Sequence, residues 1–254
     1  MRMRSFLALS AFSACTFLSS VAQAAYFEFP CLANQNFLLG GEVGYARQKE
    51  KFLTRFTVPG AIPAVIIDEH EETISDNGTI LGLMGGWQFR YFRSMIGVEA
   101  NVTFADYERP RPFRFATIPD FTDVVYNGTA LYKRGTIFGL STRLGYFVTP
   151  GFLVYGRVGA QVSRDEASYQ VFTFSGAPTT SDFSSNKKDV YGGVAGLGVE
   201  FPTFIGASTF RFEYTFSRTE RLNIEDTALP VVGTHHFHYP ETNAIKAVWV
   251  WNFL

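Results

Sequence analysis

Few residues in this 254-residue sequence have the means to do chemistry, and they come in two settings. In the first, single charges sit among apolar residues or glycine: Glu42, Arg90, Glu99, Arg143, Arg157, Glu200, Arg211, Glu213 and Lys246. Four acids against five bases in such surroundings predict ion pairs, because an unpaired charge shielded from water is costly. Counted from the nearest short connection, Glu42, Glu99, Arg143, Arg157 and Glu213 lie at a similar depth, which predicts a shared layer with Arg211 and Lys246 beside it. Such a layer reads first as a structural plug. Rearranged, it would be a gate on a narrow ion path.

In the second setting, charges run together. Asp68-Glu69-His70-Glu71-Glu72 is acidic, while Arg109, Arg111 and Arg114 are interleaved with prolines and Phe113. Guanidinium groups take phosphate oxygens in bidentate fashion, and carboxylates reach phosphates through divalent cations, so both runs are candidate phosphate contacts. A solvated loop or a salt bridge between the runs is the plainer reading. His235-His236-Phe237-His238 carries three imidazoles, but the spacing fits no rigid metal site, and neither a metal nor another cofactor is expected. Of the Asn-x-Thr triplets, Asn77 and Asn127 read as turn residues and Asn101 as an inward one. Nucleophilic catalysis needs a Ser within reach of a His and an orienting acid. All four histidines fall in predicted loops, away from any inward Ser, so no catalytic residue and no enzyme is expected.

The elements that must hold these groups are strands. Apolar residues recur at a period of two, with little helical spacing. Phe210, Phe212, Tyr214 and Phe216 alternate with Thr209, Arg211, Glu213 and Thr215; Ile245, Ala247, Trp249, Trp251 and Phe253 alternate with Lys246, Val248, Val250 and Asn252. The same alternation around 37–47, 79–91, 95–106, 135–148, 152–164 and 189–201 brings the total to eight strands. Connections at 92–94, 149–151 and 202–207 are short, and those at 48–78, 107–134, 165–188 and 217–243 are long. In an up-and-down meander alternate connections share an end, so all the long loops gather at one rim. One face of each strand is small, charged or glycine-rich, and the other is bulky and aromatic. The interior of an eight-stranded barrel has room for the first kind only, so the aromatic face turns outward, where only lipid can cover it. Tyr45, Tyr91, Tyr146 and Phe201, near strand ends, suit the membrane interfaces.

Composition agrees. The chain is 46% hydrophobic and 17% aromatic, yet its mean hydropathy is only +0.04. That content of aromatics excludes disorder. Beyond the first two dozen residues the longest apolar-or-glycine run is 190–199, ten residues, too short for a spanning helix. A net charge of −1 leaves no footprint for nucleic acid. At the start, Arg2 and Arg4 precede an uncharged run and then Ala22-Gln23-Ala24, the pattern of a cleaved export signal over residues 1–24. Lipidation at Cys15 is the lesser reading. Residues 25–36 would then be a short periplasmic segment and 37–254 the barrel. Cys31 alone remains after cleavage and forms no internal disulfide.

Gly82-Leu83-Met84-Gly85-Gly86-Trp87-Gln88-Phe89-Arg90-Tyr91, Gly97-Val98-Glu99-Ala100-Asn101-Val102 and Thr142-Arg143-Leu144-Gly145-Tyr146-Phe147-Val148-Thr149-Pro150 resemble segments of the OmpA/OmpX/opacity-protein group of eight-stranded outer-membrane barrels. The C-terminal strand is similar too: Trp249, Trp251 and Phe253 match the terminal aromatic signal by which such proteins are recognised for insertion, although here Leu254 follows Phe253. The resemblance spans 37–253. It implies an all-β, eight-stranded antiparallel up-and-down transmembrane β-barrel with four long extracellular loops and short periplasmic turns. The place implied is the bacterial outer membrane, reached by the general secretory route. Implied partners are outer-membrane lipid and lipopolysaccharide, the outer-membrane assembly machinery and host surface molecules, with Arg109, Arg111 and Arg114 facing lipopolysaccharide phosphates. The expected role is a surface or structural barrel whose external loops serve interaction or adhesion and whose lumen is plugged by charge. The alternative is a narrow gated pore, a minor porin, for ions or small solutes.

Overall fold

A computed structural model describes residues 35–57, 66–106, 111–114, 125–174, 181–226 and 232–253. The expected export signal, Cys31, Arg109 and Leu254 lie outside these residues. Eleven strands form one antiparallel sheet: β1 (Gln35–Thr57), β2 (Ile66–Tyr91), β3 (Ser94–Ala105), β4 (Arg111–Arg114), β5 (Val125–Lys133), β6 (Ile137–Thr149), β7 (Phe152–Phe174), β8 (Ser181–Pro202), β9 (Ser208–Thr219), β10 (Leu222–Asp226) and β11 (Val232–Phe253). Eight of them close into a barrel in the order β1-β2-β3-β6-β7-β8-β9-β11, with β11 pairing back onto β1. Each strand neighbours the next in sequence, which is the expected meander.

The remaining three strands continue the barrel wall. β5 and β6 lie end to end along β7: Lys133 pairs with Glu166 and Ile137 with Ser163, and residues 134–136 interrupt the ladder. β9 and β10 lie end to end along β11 in the same way, interrupted at Glu220 and Arg221. β4 pairs with the outer side of β5.

The alternation in the sequence sorts inside from outside as expected. Leu83, Leu197 and Ile245 are 62%, 68% and 65% exposed on the outer wall, and Glu99, Arg143 and Arg211 are 1%, 0% and 0% exposed within. A bare apolar wall around a charged interior is unfavourable in water and stable in lipid, where closure also pairs every ladder group. Along β1, β7, β8 and β9 the outer wall changes from apolar to charged at Arg47, Arg164, Asp189 and Arg218, which marks one edge of the apolar band.

The expected loops need correction. Most of 48–78, 165–188 and 217–243, and part of 107–134, are strand, so β2 runs for 26 residues rather than stopping at the membrane. These hairpins mix polar, charged and apolar residues without the apolar–polar alternation of the membrane section. They stay extended because each continues a ladder begun inside the membrane, where β1 remains in register with β2 as far as Phe56 opposite Asp68. Asn77 and Asn127 therefore lie on β2 and β5 and not in turns. The acidic run 68–72 lies on β2, and His235, His236 and His238 lie on β11.

Candidate functional site

The charged interior is organised by four strands around a closed ring. Arg143 on β6 donates from Nη1 to Glu99 Oε1 on β3 at 2.7 Å and from Nη2 to Glu200 Oε2 on β8 at 2.8 Å. Arg211 on β9 donates to the same Glu99 oxygen at 2.7 Å, and its Nε lies 2.8 Å from the same Glu200 oxygen. Two guanidiniums thus share two carboxylates across the barrel axis.

A second pair adjoins the ring. Arg157 on β7 donates to Glu213 on β9 at 2.7 Å and to Ser141 on β6 at 2.8 Å. Tyr155 joins the two groups: its hydroxyl donates to Glu213 at 2.5 Å, and the Arg143 guanidinium stacks on its ring, 3.8 Å from the centroid. A third pair, Lys246 on β11 with Glu42 on β1, has Nζ 3.0 and 3.1 Å from the two carboxylate oxygens. Thr103 on β3 also donates to Glu42 and in turn accepts from Asn101 at 3.0 Å. All seven residues of the expected layer are therefore brought inside, together with Glu200, as two adjoining clusters and one separate pair rather than a single flat layer.

Glycines make the space for these side chains. A Cβ at Gly82 would lie 2.7 Å from Glu42 Oε1, one at Gly86 would lie 2.9 Å from Glu99 Cγ, and one at Gly198 would lie 2.5 Å from the Tyr155 hydroxyl. The last of these makes room for Tyr155, which alternation along β7 already places on the inward face. Tyr155 shares the inward parity of Arg157, and the facing Gly198 is the signal that its ring has room.

Arg90 is not part of the interior. It is exposed at the short-turn rim, with its guanidinium 3.9 Å from the Phe147 ring centroid and its Nε donating to the Phe92 carbonyl at 3.3 Å. Its place on the last residues of β2, beside the turn, allows the side chain to leave the lumen.

Further buried residues lie above and below the charges. Toward the short turns, Leu38, Met84, Val248 and Val250 form one buried apolar cluster, and Met95, Leu153 and Tyr155 form another. Toward the long hairpins lies a polar group that the sequence reading did not assemble. Tyr132 on β5 donates to Asp165 on β7, and the Gly135 amide donates to the same carboxylate at 3.3 Å. Arg134 donates to Thr242 on β11 at 3.0 Å, and Gln48 donates to Glu50 at 3.2 Å, both on β1. Glu50 lies beyond Arg47, outside the apolar band. Burial, with Asp76 and Asp165 nearby, pushes its carboxyl up to about 8 from 4.5, against the opposing hydrogen bond from Gln48. Burial and the adjacent Asp165 hold the Tyr132 phenol well above its ordinary value. Gln48, Glu50, Asp165 and Thr242 continue the inward parity of Glu42, Arg157 and Lys246 beyond the apolar band, while Arg134 enters at the break between β5 and β6.

The terminal aromatics Trp249, Trp251 and Phe253 lie on the outer wall of β11. The two indoles are 6.1 Å apart, and Phe210 meets Trp249 edge-on at 6.3 Å. Arg111 and Arg114 lie on β4, opposite Ala130 and Asn127 of β5. Thr54 of β1 pairs with His70 on one side and His235 on the other, so the acidic run and the histidine cluster flank one strand.

A closed eight-stranded barrel with a lipid-facing wall and an ion-paired interior defines an integral outer-membrane barrel protein. The chain belongs to the OmpA-like transmembrane domain family, whose profile matches residues 32–229. Among solved structures it is similar to OprG of Pseudomonas aeruginosa, at 15% identity over 86% of this chain and 96% of that one, with a TM-score of 0.45. It is also similar to Ail, the attachment invasion locus protein of Yersinia pestis, at 12% identity over 84% and 98% with a TM-score of 0.30. Neisserial surface protein A matches at 10% identity over 82% and 97%, with a TM-score of 0.33. No curated protein matches the chain. In barrels of this class the short turns are periplasmic and the long connections external, which orients the lumen just described.

Proposed function

We propose that this chain is a non-enzymatic surface barrel that does not conduct and that holds long β-hairpins outside the bacterial outer membrane to contact molecules there. The observation that supports the reading is the set of buried apolar and ion-paired side chains within the barrel. Two apolar clusters and an ion-paired layer occupy the section that a solute would have to cross. Export by the general secretory route, cleavage after residue 24, and recognition of Trp249, Trp251 and Phe253 by the assembly machinery belong to the same reading. So do contacts of Arg109, Arg111 and Arg114 with lipopolysaccharide phosphates and adhesion of the hairpins to host surface molecules. A strain lacking the outer parts of 48–78 and 107–134 is expected to lose cell binding with unchanged outer-membrane permeability. Unchanged binding would remove the contact role.

The second reading, a narrow gated pore, is favoured by one observation, a polar cavity of about 40 Å³ on the external side of the ion pairs. Planar-bilayer recordings separate the two. The plugged reading expects a silent wild type, and steady wild-type conductance would overturn it. A gate expects Arg143→Ala to open a current, and silence in both proteins would exclude it.

A further inference from the structure

The ion pairs of the middle layer balance: Glu42, Glu99, Glu200 and Glu213 face Arg143, Arg157, Arg211 and Lys246. Arg134 is outside that balance. It stands at the break between β5 and β6, where the ladder is interrupted and its side chain turns inward, only 4% exposed. One nitrogen, Nη1, donates to Thr242, while Nε and Nη2 have no partner. Among the described residues no carboxylate lies within ion-pairing distance of it. The nearby Asp165 is already engaged by the Tyr132 hydroxyl and the Gly135 amide. Glu50 keeps its proton at neutral pH, since burial raises its carboxyl to about 8. A buried guanidinium with free N–H groups and no carboxylate in contact is expensive, and an anion is a ligand that removes the cost.

The space for one is present. Arg134 lines the cavity of about 40 Å³ together with Arg157, Lys246, Gln161, Ser217 and Thr242, and none of the described lining residues is acidic. Gln161 Nε2 has no partner, and Thr242, which accepts from Arg134, keeps its own hydroxyl proton to donate. A water needs roughly 10–15 Å³ on this measure, so the cavity takes a halide-sized ion with a water or two and is too small for a hydrated tetrahedral oxyanion.

We propose that this cavity binds one small monovalent inorganic anion of the chloride class, with Arg134 as its principal ligand and Gln161 and Thr242 as further donors. The anion would satisfy the guanidinium nitrogens that no carboxylate contacts.

The test uses the full refolded chain in detergent micelles, with bromide as the probe. Anomalous diffraction from crystals grown in bromide is expected to show an ion in the cavity, within hydrogen-bonding distance of the Arg134 guanidinium. A cavity without anomalous density, or bromide on the exterior only, would overturn the proposal. In solution, replacing methanesulfonate by bromide at constant ionic strength is expected to raise the thermal unfolding midpoint saturably. Arg134→Gln should lose that dependence, and an equal response in wild type and variant would count against the site. Should Arg134→Gln fail to refold, Gln161→Leu is expected to weaken the bromide response, and the wild-type diffraction result decides by itself.

Discussion

Arg143 and Arg211 hold the same two carboxylates, so removing either leaves buried charge only partly compensated. Arg143→Ala is expected to destabilise the barrel by about 3–5 kcal/mol, the usual cost of breaking a buried pair from one side. Urea unfolding in lipid vesicles measures this, and a loss well below 1 kcal/mol would mean that the ring relaxes or hydrates. Tyr155→Phe deletes one bond to a charged acceptor and keeps the ring under Arg143, so about 1.5–3 kcal/mol is expected. Glu50 sets a pH dependence of defined sign. Its carboxyl rises from 4.5 to about 8 on folding, so the folded chain holds a proton that the unfolded chain releases. The stability it contributes is fully present below about 4.5 and is lost as pH rises through about 8. The unfolding midpoint should fall across that window, and Glu50→Gln should flatten the profile.

At the scale of the strand, period-two alternation was enough to place the ion-pair residues inside and the aromatic ladder of β9 outside. Parity alone puts Arg211 and Glu213 on one face and Phe210 and Phe212 on the other. Pairing partners were not legible in the same way, because shear decides which inward residues share a height. That is why Glu200, read as inward, was not assigned to the ring with Arg143. The external hairpins read as loops for a different reason: outside the membrane the outward face is charged and inward positions such as Gln48 and Glu50 are polar, so burial still alternates but apolar and polar residue types do not. Alternation places Tyr155 inward, but the room for its ring comes from Gly198 on another strand. Gly198→Val is accordingly expected to displace the Tyr155 ring and lower the refolding yield, while Gly193→Val, with nothing within 4 Å of its Cβ position, should be tolerated. Refolding in detergent, scored by gel mobility, compares them.

For the whole molecule, closure makes a direct prediction. A barrel with no open ladder in its membrane section should resist detergent, so an unboiled sample from the outer-membrane fraction should migrate differently from a boiled one. Identical mobility, or recovery in the soluble fraction, would contradict a closed membrane barrel. The seam that closes the barrel joins the first strand to the last, pairing Phe37 with Phe253 and placing Lys246 against Glu42 across 204 positions of sequence. Every other wall contact joins strands that are near neighbours along the chain and can form as the chain is extended. The seam alone must wait for the end of the polypeptide, and the entropy of drawing so distant a pair together is spent before its ladder repays it. A chain that ends before β11 is therefore left as an open sheet with two bare edges, which sets the order of events: the barrel becomes a barrel only in its last step.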